Sequence, residues 1–397
     1  DPDLYVTSGS NENRNGSAPL QDRLYINTGS NNFRKAEGAL PNTKFSGSCI
    51  KPCDFDNDGD LDLFVGGRQI PGKYPYPASS CILKNESVNG NIRFIDVTQE
   101  VAPQLKDIGM VTDATWTDIS NDGKPDLVVV GEWMSVKILK NTRNRFEDIT
   151  NHSGLANDIG WWNSILSDDF DGDGDMDLIA GNLGLNYKYK ATKEKPFEVF
   201  ARDFDNNGIN DIVIGYYNEG DKLYPLRGRD CSSMQMPFIK KKFPTHDAYG
   251  RATLEDVYGA DNLKKALNYK ANNFATCYIE NKGNEKFEIS QLDNLAQISS
   301  VNGILSFDIN KDGNPDVVIG GNLYDSEVET VRNDAGVGLL LAGDGNGGFN
   351  PVPANISGLK MQGDVKGISL IGLGNNGRKG IIVAKNNDKL QVIEINK

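Results

Sequence analysis

Residues 54–67 read DFDNDGDLDLFVGG, and the phrase recurs along the chain. DISNDGKPDLVVVG starts at Asp118, DFDGDGDMDLIAGN at Asp169, DFDNNGINDIVIGY at Asp203 and DINKDGNPDVVIGG at Asp308. The shared form is D-x-[DNS]-x-[DN]-G-x-x-D, then four or five apolar residues that usually close on Gly. A degenerate copy, GLGNNGRKGIIVAK from Gly372, has lost every carboxylate. Self-similarity of this kind marks an array of like units.

Asp and Asn oxygens at positions 1, 3 and 5, with Gly at 6 for a sharp turn, suit a hard cation such as Ca2+, which takes roughly six to eight oxygen ligands. An EF-hand is excluded: its position 12 is Glu, whereas here it is Val65, Val129, Ala180, Ile214 or Ile319, and the flanks are β-rich. The last carboxylate comes instead at position 9, at the mouth of a strand, and the carbonyl of position 7 adds an oxygen. The expected ligands are Asp54, Asp56, Asp58, Asp60 and Asp62 in the first loop, and Asp118, Ser120, Asp122, Lys124 and Asp126 in the second. Asp169, Asp171, Asp173, Asp175 and Asp177 follow in the third. The last two sets are Asp203, Asp205, Asn207, Ile209 and Asp211, then Asp308, Asn310, Asp312, Asn314 and Asp316. That predicts about five Ca2+ sites with a structural role. The Asp54 and Asp169 loops, all Asp at positions 1, 3, 5 and 9, should bind tightest.

A second phrase lies between most copies: LYINTGSNNF from Leu24, ILKNTRNRF from Ile138, YIENKGNEKF from Tyr278 and LLLAGDGNGGF from Leu339. Gly and Asn supply positive φ in a hairpin turn, and the Phe begins the returning strand. Each unit is thus loop, strand, strand, turn, strand. Loop starts are separated by 64, 51, 34, 105 and 64 residues. A unit near that length suits a four-stranded blade, so the expected fold is all-β, a single β-propeller over residues 1–397. Seven blades are favoured, with six or eight also compatible. Residues 231–272 read as a small helical insertion, with helix starts at Thr253 and Asp261 and a basic run at Lys240–Lys242 that suits a solvated helix face.

The 55 acidic against 42 basic residues give a net charge of −13, which opposes binding to nucleic acid phosphates and suits a cation binder. No run of 18 apolar residues offers a transmembrane segment. Only two histidines, His152 and His246, make His-ligand zinc sites and His-dependent nucleophiles poor readings. Of five cysteines, Cys49 and Cys53 stand too far apart on a strand to bridge each other, and a pairing of either with Cys81 stays open. No catalytic constellation stands apart from metal ligation.

The repeated phrases resemble the FG-GAP/VCBS repeats, also found in integrin α-subunit heads. Further stretches (VVVGEWM, GWWNSI, AGNLGLNYKYKA, KKKFPTHDAY and YKANNFATCYIENKGNEKF) resemble the C-terminal repeat region of bacterial proteins that carry an ASPIC/UnbV domain. The resemblance implies a secreted or cell-surface calcium-binding propeller, with the metal ligands at the loop positions above. The Gly372 copy departs from that pattern.

Trp161 and Trp162 are the candidate ligand-binding residues. Neighbours in a strand face opposite ways, so one packs in the core and the other can stack on a sugar ring. The expected function is an extracytoplasmic module binding an unknown glycan or protein. The alternative is a polysaccharide lyase or hydrolase on the same scaffold, and a surface spacer is a third reading. The opening DPDLYV fits the same phrase, with Asp3 at position 9 and Asp1 at position 7 of a sixth loop. On that reading the chain is cut from a longer parent with other domains, and the strand missing from the first blade is either supplied by 390–395 or left unpaired.

Overall fold

The structure is a computed structural model that describes residues 2–143, 145–218, 220–326, 330–374 and 377–395. Asp1 lies outside the described residues, as do two residues of the Gly372 copy, 375 and 376. The chain is all-β with a few short helices, and its described strands form seven antiparallel sheets.

Sheet one holds β1 (Leu4–Val6), β2 (Arg23–Asn27) and β3 (Phe33–Lys35). Sheet two holds β4 (Ser46–Cys53), β5 (Asp62–Gln69), β6 (Cys81–Asn85) and β7 (Phe94–Asp96). Sheet three is built on β9 (Asp126–Ser135), which pairs with β8 (Met110–Thr117), β10 (Lys137–Asn141) and β12 (Ile159–Trp161), while β11 (Phe146–Asp148) forms its edge. Sheet four starts with β13 (Ser164–Asp168) and β14 (Asp177–Gly181) and then breaks off.

The chain next builds a separate sheet from β15 (Phe197–Arg202), β16 (Asp211–Tyr217), β17 (Leu223–Pro225) and β18 (Leu267–Ala271). It then returns to complete sheet four with β19 (Cys277–Asn281) and β20 (Phe287–Gln291). Exit and return are tied together: Asn182 Nδ2 donates to the Asn273 carbonyl at 3.0 Å, and its backbone N–H to Thr276 Oγ1 at 3.2 Å. Sheet five holds β21 (Val301–Phe307), β22 (Asp316–Gly321), β23 (Leu339–Gly343) and β24 (Phe349–Val352). Sheet six holds β25 (Val365–Leu373), β26 (Arg378–Lys385) and β27 (Gln391–Glu394).

The apolar runs after each acidic loop are the second strands, and they are apolar throughout because both faces are covered. Leu127 and Val129 pack with Phe64 and Ile82 of sheet two, whereas Val128 and Val130 pack with Ile165 and Leu178 of sheet four. Val317 and Ile319 likewise face Ile179 of sheet four, and Val318 faces Val365 and Ile381 of sheet six. Period-two alternation is thus present in direction but absent in polarity. Six sheets stack face to face in chain order, with one apolar core between each neighbouring pair. Each fully buried Val or Leu in these cores is worth about 1.5–3 kcal/mol relative to exposure.

Several expectations are corrected. The sheet carrying the Asp203 loop is not one of the stacked series; it is inserted within sheet four, which explains the short spacing between the Asp169 and Asp203 loops. Helices of that insertion run from Arg229 to Lys265, whereas 267–271 is strand β18. Thr253 caps a helix through a capping box with Asp256, but the next helix starts at Ala260, one residue before Asp261. β27 pairs with β26 in sheet six rather than joining sheet one, which keeps three strands. All five cysteines are free thiols, so neither Cys49 nor Cys53 pairs with Cys81. No helix of the described residues is long and apolar enough to cross a membrane.

Candidate functional site

The five acidic loops share one backbone. Position 6 is a left-handed Gly in all of them (Gly59, Gly123, Gly174, Gly208 and Gly313, φ 80–95°). Position 4 is left-handed too, with Asn57, Asn121, Gly172, Asn206 and Lys311 at φ 53–74°. Two such residues reverse the chain, so side chains at positions 1, 3 and 5 converge. Sequence reasoning missed position 4, although Asn or Gly at four of its five occurrences was the available signal.

Hydrogen bonds fix the geometry further. The position 1 carboxylate accepts the Gly N–H in every loop: Gly59 to Asp54 at 3.0 Å, Gly123 to Asp118 at 2.7 Å, Gly174 to Asp169 at 3.1 Å, Gly208 to Asp203 at 2.8 Å and Gly313 to Asp308 at 3.1 Å. Position 5 accepts the N–H of position 7, as when Asp60 donates to Asp58 at 3.1 Å. Position 9 is almost fully buried at Asp62, Asp126, Asp177, Asp211 and Asp316. Its carboxylate accepts an N–H from the neighbouring strand: Asn85 to Asp62 at 2.8 Å, Asn141 to Asp126 at 2.7 Å, Asn281 to Asp177 at 2.7 Å and Gly343 to Asp316 at 3.1 Å. Asp3 accepts the Asn27 N–H at 2.8 Å, so sheet one repeats the contact.

Burial, the largest cause, pushes Asp62, Asp126 and Asp177 up to about 6; the backbone N–H bonds oppose it and neighbouring loop carboxylates add to it. Asp211 is raised by burial as well. Buried carboxylates held against other carboxylates call for a cation. Orphaned oxygens mark where it would go: Asp56 Oδ1, Asp62 Oδ2 and Ser120 Oγ are buried without a hydrogen-bond partner. In three loops, carboxylate oxygens of three residues lie within 4.8 Å of one another: Asp54, Asp56 and Asp58; Asp169, Asp171 and Asp177; Asp203, Asp205 and Asp211. An all-oxygen donor set of this charge fits Ca2+.

Loops also join adjacent sheets. Asn141 Nδ2 of sheet three donates to the carbonyl of Phe55, position 2 of the Asp54 loop, at 2.9 Å. Asn281 Nδ2 of sheet four donates to Ile119, position 2 of the Asp118 loop, at 3.1 Å, and the Gly347 N–H of sheet five to Phe170 at 3.2 Å.

The opposite ends of the same strands hold a cavity of about 600 Å³. A second of about 420 Å³ shares Thr112, Asn163, Asn302 and Lys366 with it and is lined by the first strands of sheets two to six. Bulges build its polar wall. Ser48, Thr112, Asn302 and Lys366 are the extra residues where the first strands of sheets two, three, five and six slip against their partners. A bulge re-aims a side chain and brings backbones closer, which explains the Gly that closes the second strand. A Cβ on Gly131 would lie 2.0 Å from the Met110 carbonyl oxygen, and one on Gly321 1.6 Å from that of Ser300.

Trp161 lines the larger cavity, partly buried, with Nε1 lacking an acceptor. Its ring meets Trp133 edge-on at 4.9 Å and Phe197 and Phe274 at 5.8 and 5.6 Å. Trp162 is corrected to a core residue: it is fully buried, and its Nε1 donates to the Met134 carbonyl at 3.0 Å. Beside Trp161, Glu132 pairs with Arg68 and accepts from Tyr74 Oη at 3.3 Å, and Tyr74 Oη accepts from Trp133 Nε1 at 2.7 Å. Trp133 sits at φ 60°, a costly conformation for an aromatic residue, at the irregular pairing of β9 with β12. Ile214 of β16 and Arg227, two residues beyond β17, complete the wall. These residues come from separate stretches of the chain with no common motif, and only Trp161 was legible beforehand.

Geometry therefore defines a repeat protein with acidic cation-type loops at one end of its sheets and a pocket at the other. Residues 1–65 and 118–180 match the model of the FG-GAP-like repeat. Both matches contain acidic-loop sequence, Asp54 to Asp62 in the first and the Asp118 and Asp169 loops in the second. Among solved structures, the crystal structure of the V. cholerae biofilm matrix protein Bap1 is similar at 9% identity, with a TM-score of 0.34 over 95% of this chain and 75% of that one. No curated protein matches the chain.

Proposed function

We propose that the six stacked sheets are blades of a β-propeller, stapled by calcium, which acts outside the cytoplasm as a glycan- or protein-binding module. The observation that carries this reading is the set of orphaned, buried oxygens in the Asp54 and Asp118 loops, two of five that share one backbone turn. Side chains at positions 1, 3, 5 and 9 of each loop would hold the ion. Calcium supplies charge neutralisation there, and millimolar external calcium saturates loops too weak for the cytosol. Position 1 also accepts backbone N–H groups, which keeps the loop shaped, and position 9 ties it to the strands.

The pocket supports the binding role. Trp161 lines the pocket with a buried, unmatched N–H among polar side chains from several sheets, a combination suited to a sugar. Glu132 is engaged by Arg68 and Tyr74, and burial raises the Tyr74 phenol well above its ordinary value, so this cluster makes a poor acid–base pair and the enzyme reading gains no support. The test is a melting curve with calcium and with EDTA, followed by a glycan array with a parallel turnover assay. Each loop contributes about 2.7 kcal/mol when calcium exceeds its Kd a hundredfold. An unchanged melting temperature in EDTA would sink the calcium reading; turnover would favour the enzyme.

A further inference from the structure

The residue immediately before the one whose N–H clasps the position 9 carboxylate differs from sheet to sheet. It is Lys84 in sheet two, Lys140 in sheet three, Glu280 in sheet four and Ala342 in sheet five. Lys84 turns its amine into the Asp54 loop, where Nζ contacts Asp56 Oδ2 and lies 3.1 Å from Asp58 Oδ2. Asp56 is deeply buried, its side chain only 7% exposed, and its other oxygen has no partner. Lys140, by contrast, reaches across to Glu285. Among the described residues, no ion pair joins a lysine or arginine to the side chains of Asp169, Asp171, Asp203, Asp205, Asp308 or Asp312.

We infer that Lys84 is the resident cation of the Asp54 loop, an internal competitor that makes this four-Asp loop a late one to fill with calcium. The inference rests on the reading of the loops as calcium sites. Lys84 bridges positions 3 and 5, two of the three residues whose oxygens converge in this loop. A divalent ion cannot share those oxygens with an ammonium group at bonding distance, because the two cations repel at short range in a partly buried site. Lys84 must therefore swing out before the loop can close on calcium, and the lost charge-assisted contact weakens binding about tenfold. Carboxylate count alone ranks this loop equal to the Asp169 loop; the facing side chain separates them. In a chain without calcium, Lys84 offsets one of the five carboxylate charges of sheet two's loop, whereas the Asp169 loop is left with all of its repulsion.

The experiment is a calcium titration of the full chain against a chromophoric chelator. In the wild-type background, Asp171→Asn is expected to remove one tight site, whereas Asp56→Asn leaves the number of tight sites unchanged. Lys84→Met is expected to tighten one weak site by about tenfold and to lower the melting temperature in EDTA, since the Asp pair loses its counter-charge. Loss of a tight site with Asp56→Asn, or an unchanged titration with Lys84→Met, overturns the inference. Should Lys84→Met not fold, the Asp56→Asn and Asp171→Asn pair decides alone. Binding without this ranking defeats only the role of Lys84; no binding at all defeats the calcium reading beneath it.

Discussion

The side-chain amide of Asn141 donates to the carbonyl of Phe55 at 2.9 Å, while the backbone N–H of the same residue holds Asp126 at 2.7 Å. One residue thus secures its own sheet's loop and the loop of the sheet before it. Asn281 does the same for Asp177 and Ile119. Asn141→Ala leaves a buried carbonyl without its donor and should cost about 1–3 kcal/mol. Chemical denaturation would check this, and a loss under about 0.5 kcal/mol, the range of an ordinary surface change, would remove the inter-sheet role.

The buried position 9 carboxylates set a pH dependence. Asp62, Asp126 and Asp177 have folded values near 6, above the ordinary carboxylate value of about 4. Without metal, the folded chain binds these protons more tightly than the unfolded one. Their stabilisation is full below about pH 4 and lost as pH rises through about 6. Calcium needs the ionised forms, so its effect runs the other way. Melting in EDTA should fall between pH 5 and 7, and the gain on adding calcium should grow over the same window. A calcium gain that is flat across those pH values would exclude these groups as ligands.

Trp161 and Trp162 should separate cleanly. Trp161→Phe keeps most of the packing against Trp133 but deletes the unmatched N–H, and it should weaken ligand binding about tenfold with little change in melting. Trp162→Phe removes the bond to Met134 in a fully buried site and should lower stability by about 1–3 kcal/mol with affinity intact. Calorimetry on both variants tests the assignment; the opposite pattern would reverse it.

Gly131→Ala forces a methyl to 2.0 Å from the Met110 carbonyl oxygen. A backbone clash of that depth should cost at least about 4 kcal/mol and place this variant among the most damaging single changes. Expression and melting of Gly131→Ala beside Gly123→Ser distinguish close approach from loop strain, since Gly123 has open space around it but a φ of 80°.

The loops, the second strands and the hairpins were readable because each depends on a few consecutive residues. Asn281 faces Phe287 across its turn, and Asn27 faces Phe33, as the YIEN and LYIN phrases imply. Which sheet a strand joins was not readable. The Asp203 phrase matches the others locally, yet β15 and β16 pair with β17 and β18 in a separate sheet, and nothing within the phrase encodes that. The pocket was hidden for a related reason, since Arg68, Glu132, Trp161 and Arg227 meet only after four separate stretches have folded.

The inserted sheet leaves sheet four at Asn182 and comes back at Thr276, two residues already in hydrogen-bonding contact. Its junctions are therefore close together, and little chain entropy separates a long insert from a short one. Ile214 and Arg227, which it contributes to the pocket wall, lie outside the cores between the stacked sheets, and Ile214 packs instead in a separate core with Met110 and Trp133 of sheet three. The molecule is in effect a frame of stacked sheets carrying one appended sheet, which is docked on sheet three and lends the pocket part of its wall.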